Sequence, residues 1–386
     1  MQLIRLQSKD ELLSAAGDLN ELWRRSAVAL PAARAEPLAA WLDQFAPRQA
    51  FQMLVVADAG RWAAALPLVD RRLKGLLPAA CWPYSPWWTS GELLLDAEAD
   101  QRAALDALAV ELAQLQQPLM WLDAVRFTAP RWQALLRAVE RAGLPASVRQ
   151  QAVIGQVEID HDWDEYQARW TKGHRRKMKV ALRKADAAGG VRLSSYDRFS
   201  PGEVGSFVRA GFEIEHRSWK GGQRSSVLSQ PGMLEYYVEQ GQRLASAGCL
   251  RLSFLEHHGQ QIAFEYGLTG KGTYYSYKVG YDERFADLTP GQLLRFELLQ
   301  RFFADPACTL VDFAGPLCRA TSAWSTRVEP VGRVVIGTAS MRGRLLHGGY
   351  RFWRRQRQVL LSARREDTFS QPGVQPRLQH YSGPRA

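Results

Sequence analysis

Between Leu250 and Leu299 three apolar runs follow one another, each closed by glycine, and a proline-started helix comes after them. The first run ends at His257-His258-Gly259. The second, Ile262–Leu268, ends at Gly270–Gly272, and the third is the aromatic run Thr273–Tyr281. Runs rich in β-branched and aromatic residues, separated by tight glycine turns, fold as successive antiparallel strands. A polar loop leads to Leu288-Thr289-Pro290-Gly291-Gln292-Leu293-Leu294. Here Thr289 is placed to accept a bond from a free backbone N–H, and Pro290 opens the helix where its missing N–H costs nothing. The spacing predicts that the N–H groups of Gly291, Gln292 and Leu293 are unpaired and point outward, an anion site reinforced by the helix dipole. Meander, loop and exposed helix start together predict a pocket for a phosphorylated cofactor.

The same plan occurs earlier in the chain. Leu3–Leu6 alternates as a strand, Lys9–Arg25 has helical apolar spacing with Ser8 as its cap, and Pro37–Phe45 is a short helix. Phe51–Ala57 and Trp62–Val69 form a hairpin around Asp58-Ala59-Gly60. An aromatic loop, Cys81–Trp88, and a short strand, Glu92–Leu95, follow, then a helix over Ala99–Gln116, a strand Leu119–Ala124 and a helix Pro130–Ala142. Laying Gly60 on Gly259 lays Ala64 on Ala263 and Leu119–Ala124 opposite Thr309–Ala314, which points to duplication. Val191–Ser195, Pro201–Arg217 and Pro231–Ala247 then match the opening strand and helices. The second copy has Glu265 where the first has Leu66. It also has Pro290-Gly291 where the first offers Ala97–Asp100, without a glycine. The expected organisation is a worn N-terminal domain over 1–150 and a cofactor-holding domain over 151–361. A strand Val331–Ile336, a turn-rich Gly343–Gly349 and a basic helix Tyr350–Arg365 end it, and a Pro- and Gln-rich tail over 362–386 is expected to be disordered. The fold class is α/β with mixed sheets: two tandem domains, each a mostly antiparallel sheet flanked by helices.

Between the copies, Tyr166–Gly189 reads as an amphipathic helix. Arg169, Lys172, Arg175, Arg176, Lys177, Lys179, Arg183 and Lys184 occur without an acid among them, while Met178, Ala181, Leu182 and Ala185 share one face. With a formal net charge of +11, this predicts an anionic partner: a CoA phosphate, a nucleic acid, a lipid-linked glycan or a membrane surface. No apolar run approaches a membrane span, and Leu3–Leu6 is too short for a signal peptide. The cysteines Cys81, Cys249, Cys308 and Cys318 lack metal spacing and the histidines form no ligand pattern, so no metal is expected. A cytoplasmic protein, peripheral to an inner membrane at most, is the expectation.

Glu265, between apolar neighbours, is a candidate base whose pKa burial would raise; the alternative is a surface carboxylate. Alternation puts it on the face of Ala263 and Gly267, opposite Phe264 and Tyr266. The phenol of Tyr277 or Tyr281 is a candidate acid or a core ring. Lys278 is a cofactor-phosphate contact or a sheet-edge cap. Asp312, near the end of a buried strand, orients an acceptor or bonds a loop. Arg217 and Trp219 suit a sugar or phosphate, against core packing for Trp219.

Taken in order, Gly173-His174-Arg175-Arg176-Lys177, Glu215-His216-Arg217-Ser218-Trp219, Gly259–Ala263, Gly280-Tyr281-Asp282, Leu288–Leu294 and Val311-Asp312-Phe313-Ala314-Gly315 resemble the CelD/BcsL group of GNAT-superfamily acyltransferases, linked to bacterial polysaccharide biosynthesis. That group is similar to the FemAB aminoacyl transferases, which carry tandem GNAT-like domains. The resemblance covers residues 1–340. It implies direct transfer from acyl-CoA, with acetyl-CoA the expected donor, to an amine or hydroxyl of a sugar, polysaccharide precursor or lipid-linked glycan, the thioester lying beside a splayed strand. The candidate cofactor contacts are Thr289, Pro290, Gly291, Gln292 and Leu293, with Lys278, and the candidate acceptor contacts are Arg175, Arg176, Arg217, Trp219 and Trp324. Two departures stand out. Thr289-Pro290-Gly291-Gln292 replaces a glycine-rich pyrophosphate signature, and Pro316-Leu317-Cys318-Arg319 replaces an aromatic–lysine pair before the tryptophan. The competing expectations are a FemAB-like transferase using aminoacyl-tRNA, its basic helix following RNA, and a non-catalytic binding module.

Overall fold

The computed structural model describes residues 1–200 and 202–369. The first half runs β1 (Gln2–Leu6), α1 (Lys9–Ser14), α2 (Ala16–Arg25), α3 (Ala35–Phe45), β2 (Phe51–Asp58), β3 (Arg61–Leu73), β4 (Leu77–Cys81), β5 (Leu94–Leu95), α4 (Gln101–Ala113), β6 (Leu119–Val125), α5 (Pro130–Arg141) and β7 (Ala146–Glu158). The second runs α6 (Trp163–Ala168), α7 (Lys172–Ala187), β8 (Arg192–Tyr196), α8 (Glu203–His216), α9 (Trp219–Gly222), α10 (Met233–Ser246), β9 (Leu250–His257), β10 (Gln260–Gly270), β11 (Thr273–Tyr281), α11 (Pro290–Ala304), β12 (Leu310–Pro316), α12 (Arg319–Ser322), β13 (Arg327–Gly337) and α13 (Met341–Phe369).

All the strands join one mixed, mostly antiparallel sheet in the order β1-β2-β3-β4-β6-β13-β7-β12-β11-β10-β9-β8, with β5 beside β3. The halves match pair for pair. Val56 faces Ala64 across β2–β3, and Leu255 faces Ala263 across β9–β10; both hairpins shift register next to that pair. The turns match as well. Ala59-Gly60 and His258-Gly259 all have positive φ, as do Lys74-Gly75 and Lys271-Gly272, and Ala124 and Ala314 are both left-handed. The two-residue turns at Ala59-Gly60, His258-Gly259 and Lys271-Gly272 have positive φ at both central positions, which follows the twist of the strands and accounts for the glycine in second place, while Leu76 adds a third residue after Lys74-Gly75.

The last strand of each half completes the other half. β7 follows β6 and α5 in the chain yet pairs with β12, while β13 follows β12 yet pairs with β6. The two lie side by side, antiparallel from Arg327↔Gln156 to Ile336↔Ala146. Position 150 thus falls inside β7, which pairs with β13 from Ala146 to Gln156, so no loop lies there at which a boundary could form.

Helices cover both faces. On one, α1–α3 and α8 and α10 share a continuous core that includes Trp41, Trp88, Phe212, Tyr237 and Tyr266. On the other, α4 and α5 cover the first half, and α6, α7 and α11 the second. The expected single helix over Tyr166–Gly189 is two, because the Thr171 hydroxyl accepts the His174 N–H and starts α7 afresh. Gly343–Gly349, expected as turns, is helical. A side chain at Gly343 would lie 2.5 Å from Thr338 Oγ1 and 2.8 Å from Pro118 O, so glycine serves there for close approach, not for a bend. The tail expected over 362–386 is helical to Phe369, and the rest of it lies outside the described residues.

Candidate active site

β11 and β12 run parallel and in register only from Thr273↔Leu310 to Tyr275↔Asp312. Beyond Asp312 the β12 backbone detours through left-handed Ala314, and β11 gains one residue against β10 at Tyr277. The two strands part there and leave a wedge. The Asp282 N–H bond to Ile262 O sets the alternation of β11, so that Val279 and Tyr281 turn their backbone groups away from β10. Lys220 Nζ takes the Val279 carbonyl at 2.7 Å and the Glu215 carboxylate at 2.8 Å, so α8 and α9 close one side of the wedge.

The first half has the equivalent wedge after Cys81↔Trp121, where β4 leaves β6. There Trp82 Nε1 donates to Asp123 O at 2.7 Å, and the Asp100 carboxylate caps α4 by accepting the Ala103 N–H. An indole spans that gap, and the protein's own anion occupies that helix start. At α11 no side chain caps the helix.

The start of α11 differs from the sequence expectation. Thr289 is itself left-handed, with φ +51°, which turns its hydroxyl away from the capping position. Its carbonyl accepts the N–H groups of both Gln292 and Leu293, at 2.9 and 3.2 Å. Of the three donors expected to be free, only the Gly291 N–H has no such bond. Pro290 and Leu293 are buried, and the Gln292 side chain accepts the Trp324 indole N–H at 3.0 Å. A side chain at Gly291 would meet only Tyr281, at 3.6 Å, so the helix start borders the wedge through that ring. α7 packs on the Glu283–Leu288 turn and on α11. It brings Lys172, Arg175, Arg176, Lys177, Lys179, Arg183 and Lys184 to this side of the molecule, all exposed. Among the described residues none of these seven has an acidic partner.

Lys278 follows the β11 bulge. It is half-buried, its ammonium lies 4.7 Å from the Trp87 ring and 5.8 Å from the Tyr237 ring, and it has no hydrogen bond or ion pair among the described residues. Burial lowers its pKa to about 8, against the opposing pull of Glu215. Trp87 also lines a groove of about 1250 Å³ in the first half, with Phe45, Asp70, Arg71, Arg72 and Ser85. Trp88, next in the chain, is fully buried against Tyr236, Tyr237, Tyr266 and Tyr277 and joins the halves.

The remaining sequence candidates take structural places. Glu265 shares its face with Ala263, opposite Phe264 and Tyr266, as alternation requires. Burial raises its pKa and Arg295 opposes the rise. Yet it is sealed under α11 beside a void of only about 10 Å³, bonded to Tyr274 Oη at 2.7 Å, and so lacks a path for an acceptor. The Tyr277 hydroxyl accepts the Thr89 N–H at 2.8 Å, and burial raises the phenol's pKa, which makes it a poorer acid. Asp312 accepts Arg126 at 2.9 Å, Gln156 at 2.6 Å and the Ala314 N–H at 2.8 Å, which is the loop-bonding alternative and more. Arg217 holds Asp282 at 2.8 Å. With Arg284 the leading cause, that carboxyl's pKa falls to about 2. Trp219 is 49% exposed, so it is not core. Trp324 is, packed against Trp170 and His174.

Sequence reasoning misses Trp87, Lys220 and Arg126; the aromatic loop Cys81–Trp88 is the signal for Trp87, whereas Lys220 and Arg126 have partners far away in the chain, and Glu215 reads only as part of a motif. Comparison with known proteins bears on the fold that carries this geometry. Residues 172–322 match the family described as acetyltransferase (GNAT) domain. No curated protein matches the sequence. Among solved structures, FemX is similar over 90% of this chain and 100% of its own, at 12% identity and a TM-score of 0.57. A conserved protein of unknown function from Bacteroides thetaiotaomicron is similar over 87% and 100%, at 12% and 0.56. The C-terminal domain of a putative lysylphosphatidylglycerol synthetase from Agrobacterium fabrum is similar over 88% and 96%, at 13% and 0.51. The chain is thus similar to the GNAT acetyltransferase domain over 172–322, and nearly its whole length has the fold of these solved proteins.

Proposed function

We propose that the chain is an acyltransferase of the CelD/BcsL kind. It moves an acyl group, acetyl in the first instance, from acyl-CoA to an amine or hydroxyl of a sugar, polysaccharide precursor or lipid-linked glycan. The observation that carries this reading is the wedge between β11 and β12, with the backbone groups of Val279 and Tyr281 turned into it. An extended pantetheine arm carries two amides, and such a chain pairs with the strand edge beside the Val279 carbonyl that Lys220 holds, as another strand would. Its diphosphate then reaches the start of α11, where the Gly291 N–H, the helix dipole and the α7 cations favour negative charge. Lys278 faces the acceptor. An amine of pKa near 8 removes a proton from an incoming ammonium or hydroxyl at neutral pH. The groove beside Trp87 seats the rest of the acceptor, since a sugar face stacks on an indole.

The test is CoA binding by calorimetry, on the wild type and on Gly291→Asp. Aspartate in the first turn suits a helix, and the site has room for a side chain, so the variant folds. Its carboxylate repels the diphosphate, and affinity is expected to fall about 10- to 100-fold, or ~1.4–2.7 kcal/mol. Unchanged affinity removes the diphosphate from this helix.

The seven unpaired cations of α7 favour a second reading, because they exceed what one CoA needs. FemX and the lysylphosphatidylglycerol synthetase domain share the fold, and transfer from aminoacyl-tRNA would use such a face to follow RNA. Binding of tRNA is then expected to weaken with salt at a log–log slope of about −0.7 to −0.9 per phosphate contacted. Charge-reversing Arg175 and Arg176 would flatten that slope. A flat slope in the wild type, with tight CoA binding, leaves the first reading alone.

A further inference from the structure

α13 docks on the sheet by one line of residues. Leu346 and Tyr350 pack on the core, buried His347 meets Ser147 Oγ at 3.0 Å, and Arg354 donates to Val148 O at 3.2 Å. The opposite line, Met341, Leu345, Gly348 and Phe352, recurs at intervals of four, three and four, which keeps it on one side of a helix. That line faces away from the protein. Met341 is 79%, Leu345 70% and Phe352 64% exposed, and of the large apolar side chains described only Leu76 is as open. Arg342 flanks the line on one side, Arg344 and Arg351 on the other. All three are exposed, and none has an acidic partner among the described residues. No acid occurs from Met341 to Arg365 in the sequence.

We propose that this outer face of α13 lies in the surface of an anionic phospholipid bilayer. Aliphatic and aromatic tips enter the boundary between headgroups and acyl chains, and the flanking guanidinium groups meet lipid phosphates. Charge selects this occupant. An apolar line between rows of unpaired arginines matches a surface that is apolar beneath and anionic above. A second copy of α13 would bring arginine against arginine. RNA would satisfy the arginines and leave Met341, Leu345 and Phe352 in water. The orientation serves a transferase acting on a lipid-linked acceptor, but the inference stands on α13 alone and is tested without turnover.

The experiment is co-sedimentation of the full chain with vesicles of phosphatidylglycerol and phosphatidylcholine, against vesicles of phosphatidylcholine alone. The wild type is expected to bind the anionic vesicles and not the neutral ones. Leu345→Glu with Phe352→Glu changes only exposed positions and is expected to lower the bound fraction at least tenfold, with an unaltered melting curve. A wild type that stays in the supernatant overturns the proposal. So does a double variant that binds as the wild type does, or binding abolished by charge reversal at Arg175 and Arg176 but not by the double variant, which moves the contact to α7. A dimer in light scattering that the double variant dissociates assigns the face to a second copy, and protection of α13 by RNA but not by vesicles assigns it to nucleic acid. Each of these also overturns the membrane reading.

Discussion

Lys278→Met is expected to lower acyl transfer by about 10²–10⁴-fold, the usual worth of a positioned base, while the protein stays folded. The half-buried amine makes no hydrogen bond, so no partner is orphaned when it goes. Methionine keeps the length of the side chain and packs well against the Trp87 and Tyr237 rings. Lys278→Arg separates base from cation. Arginine restores the charge over the rings but does not give up its proton, so a base role predicts no rescue, while a purely electrostatic role predicts recovery. The pH dependence follows from the same residue. With its pKa lowered to about 8 by burial, only roughly a tenth of the amine is free at pH 7. The kcat/KM of the wild type should climb about tenfold per pH unit up to that value and then level off. The stability effect has a definite sign. Between about pH 8 and 10.5 the unfolded amine holds a proton that the folded one has lost, so the contribution of Lys278 to stability rises with pH through that window. Below it the penalty is complete, and Lys278→Met should be the more stable protein there. A rate independent of pH from 6 to 9 would strip Lys278 of the role.

Arg126→Leu is expected to destabilise the fold by about 3–5 kcal/mol, read from urea unfolding midpoints. Arg126 stands at the end of β6. It reaches Asp312 on β12 at 2.9 Å and pairs with Glu329 on β13, while Gln156 on β7 bonds both carboxylates at 2.6 and 3.0 Å. Asp312 is 1% exposed, so removal of the guanidinium strands a buried carboxylate with no cation, only the neutral Gln156 amide and Ala314 N–H. The double variant Arg126→Leu/Asp312→Asn removes both charges and should recover much of the loss, since an absent pair costs less than a broken one. Equal midpoints for the single and double variants would show that the cluster does not couple the halves. The cost to activity should follow stability, because these groups lie at the base of the wedge and hold β12 on its detour.

The strands and turns around Leu250–Tyr281 are legible in the sequence because every cue agrees there: β-branched runs, period-two alternation, and a glycine at each second turn position. The duplication is legible for the same reason, as the spacing from Gly60 to Ala64 repeats from Gly259 to Ala263. β7 and the early part of β13 are not, because their partners lie in the opposite half. Arg149-Gln150-Gln151 shows no apolar alternation because this part of β7 is exposed and pairs with β13 alone, and the buried polar Gln156 is explained only by the Asp312 and Arg126 cluster it serves. Thr289 misleads because its residue type suits a cap, whereas its left-handed backbone, fixed by the preceding 283–288 turn, does not. Lys278 stands out in the sequence, but its environment comes from Trp87 and Tyr237, far away along the chain, so a cofactor contact is as natural a reading as a base.

The crossed last strands have a bearing on how the protein is made. β6 must wait for β13, about two hundred residues downstream, so the whole second half is synthesised before the first can close its sheet. Until then a long unpaired edge is open to the wrong neighbours. Either half cut from the other would leave its sheet without the strand that closes it.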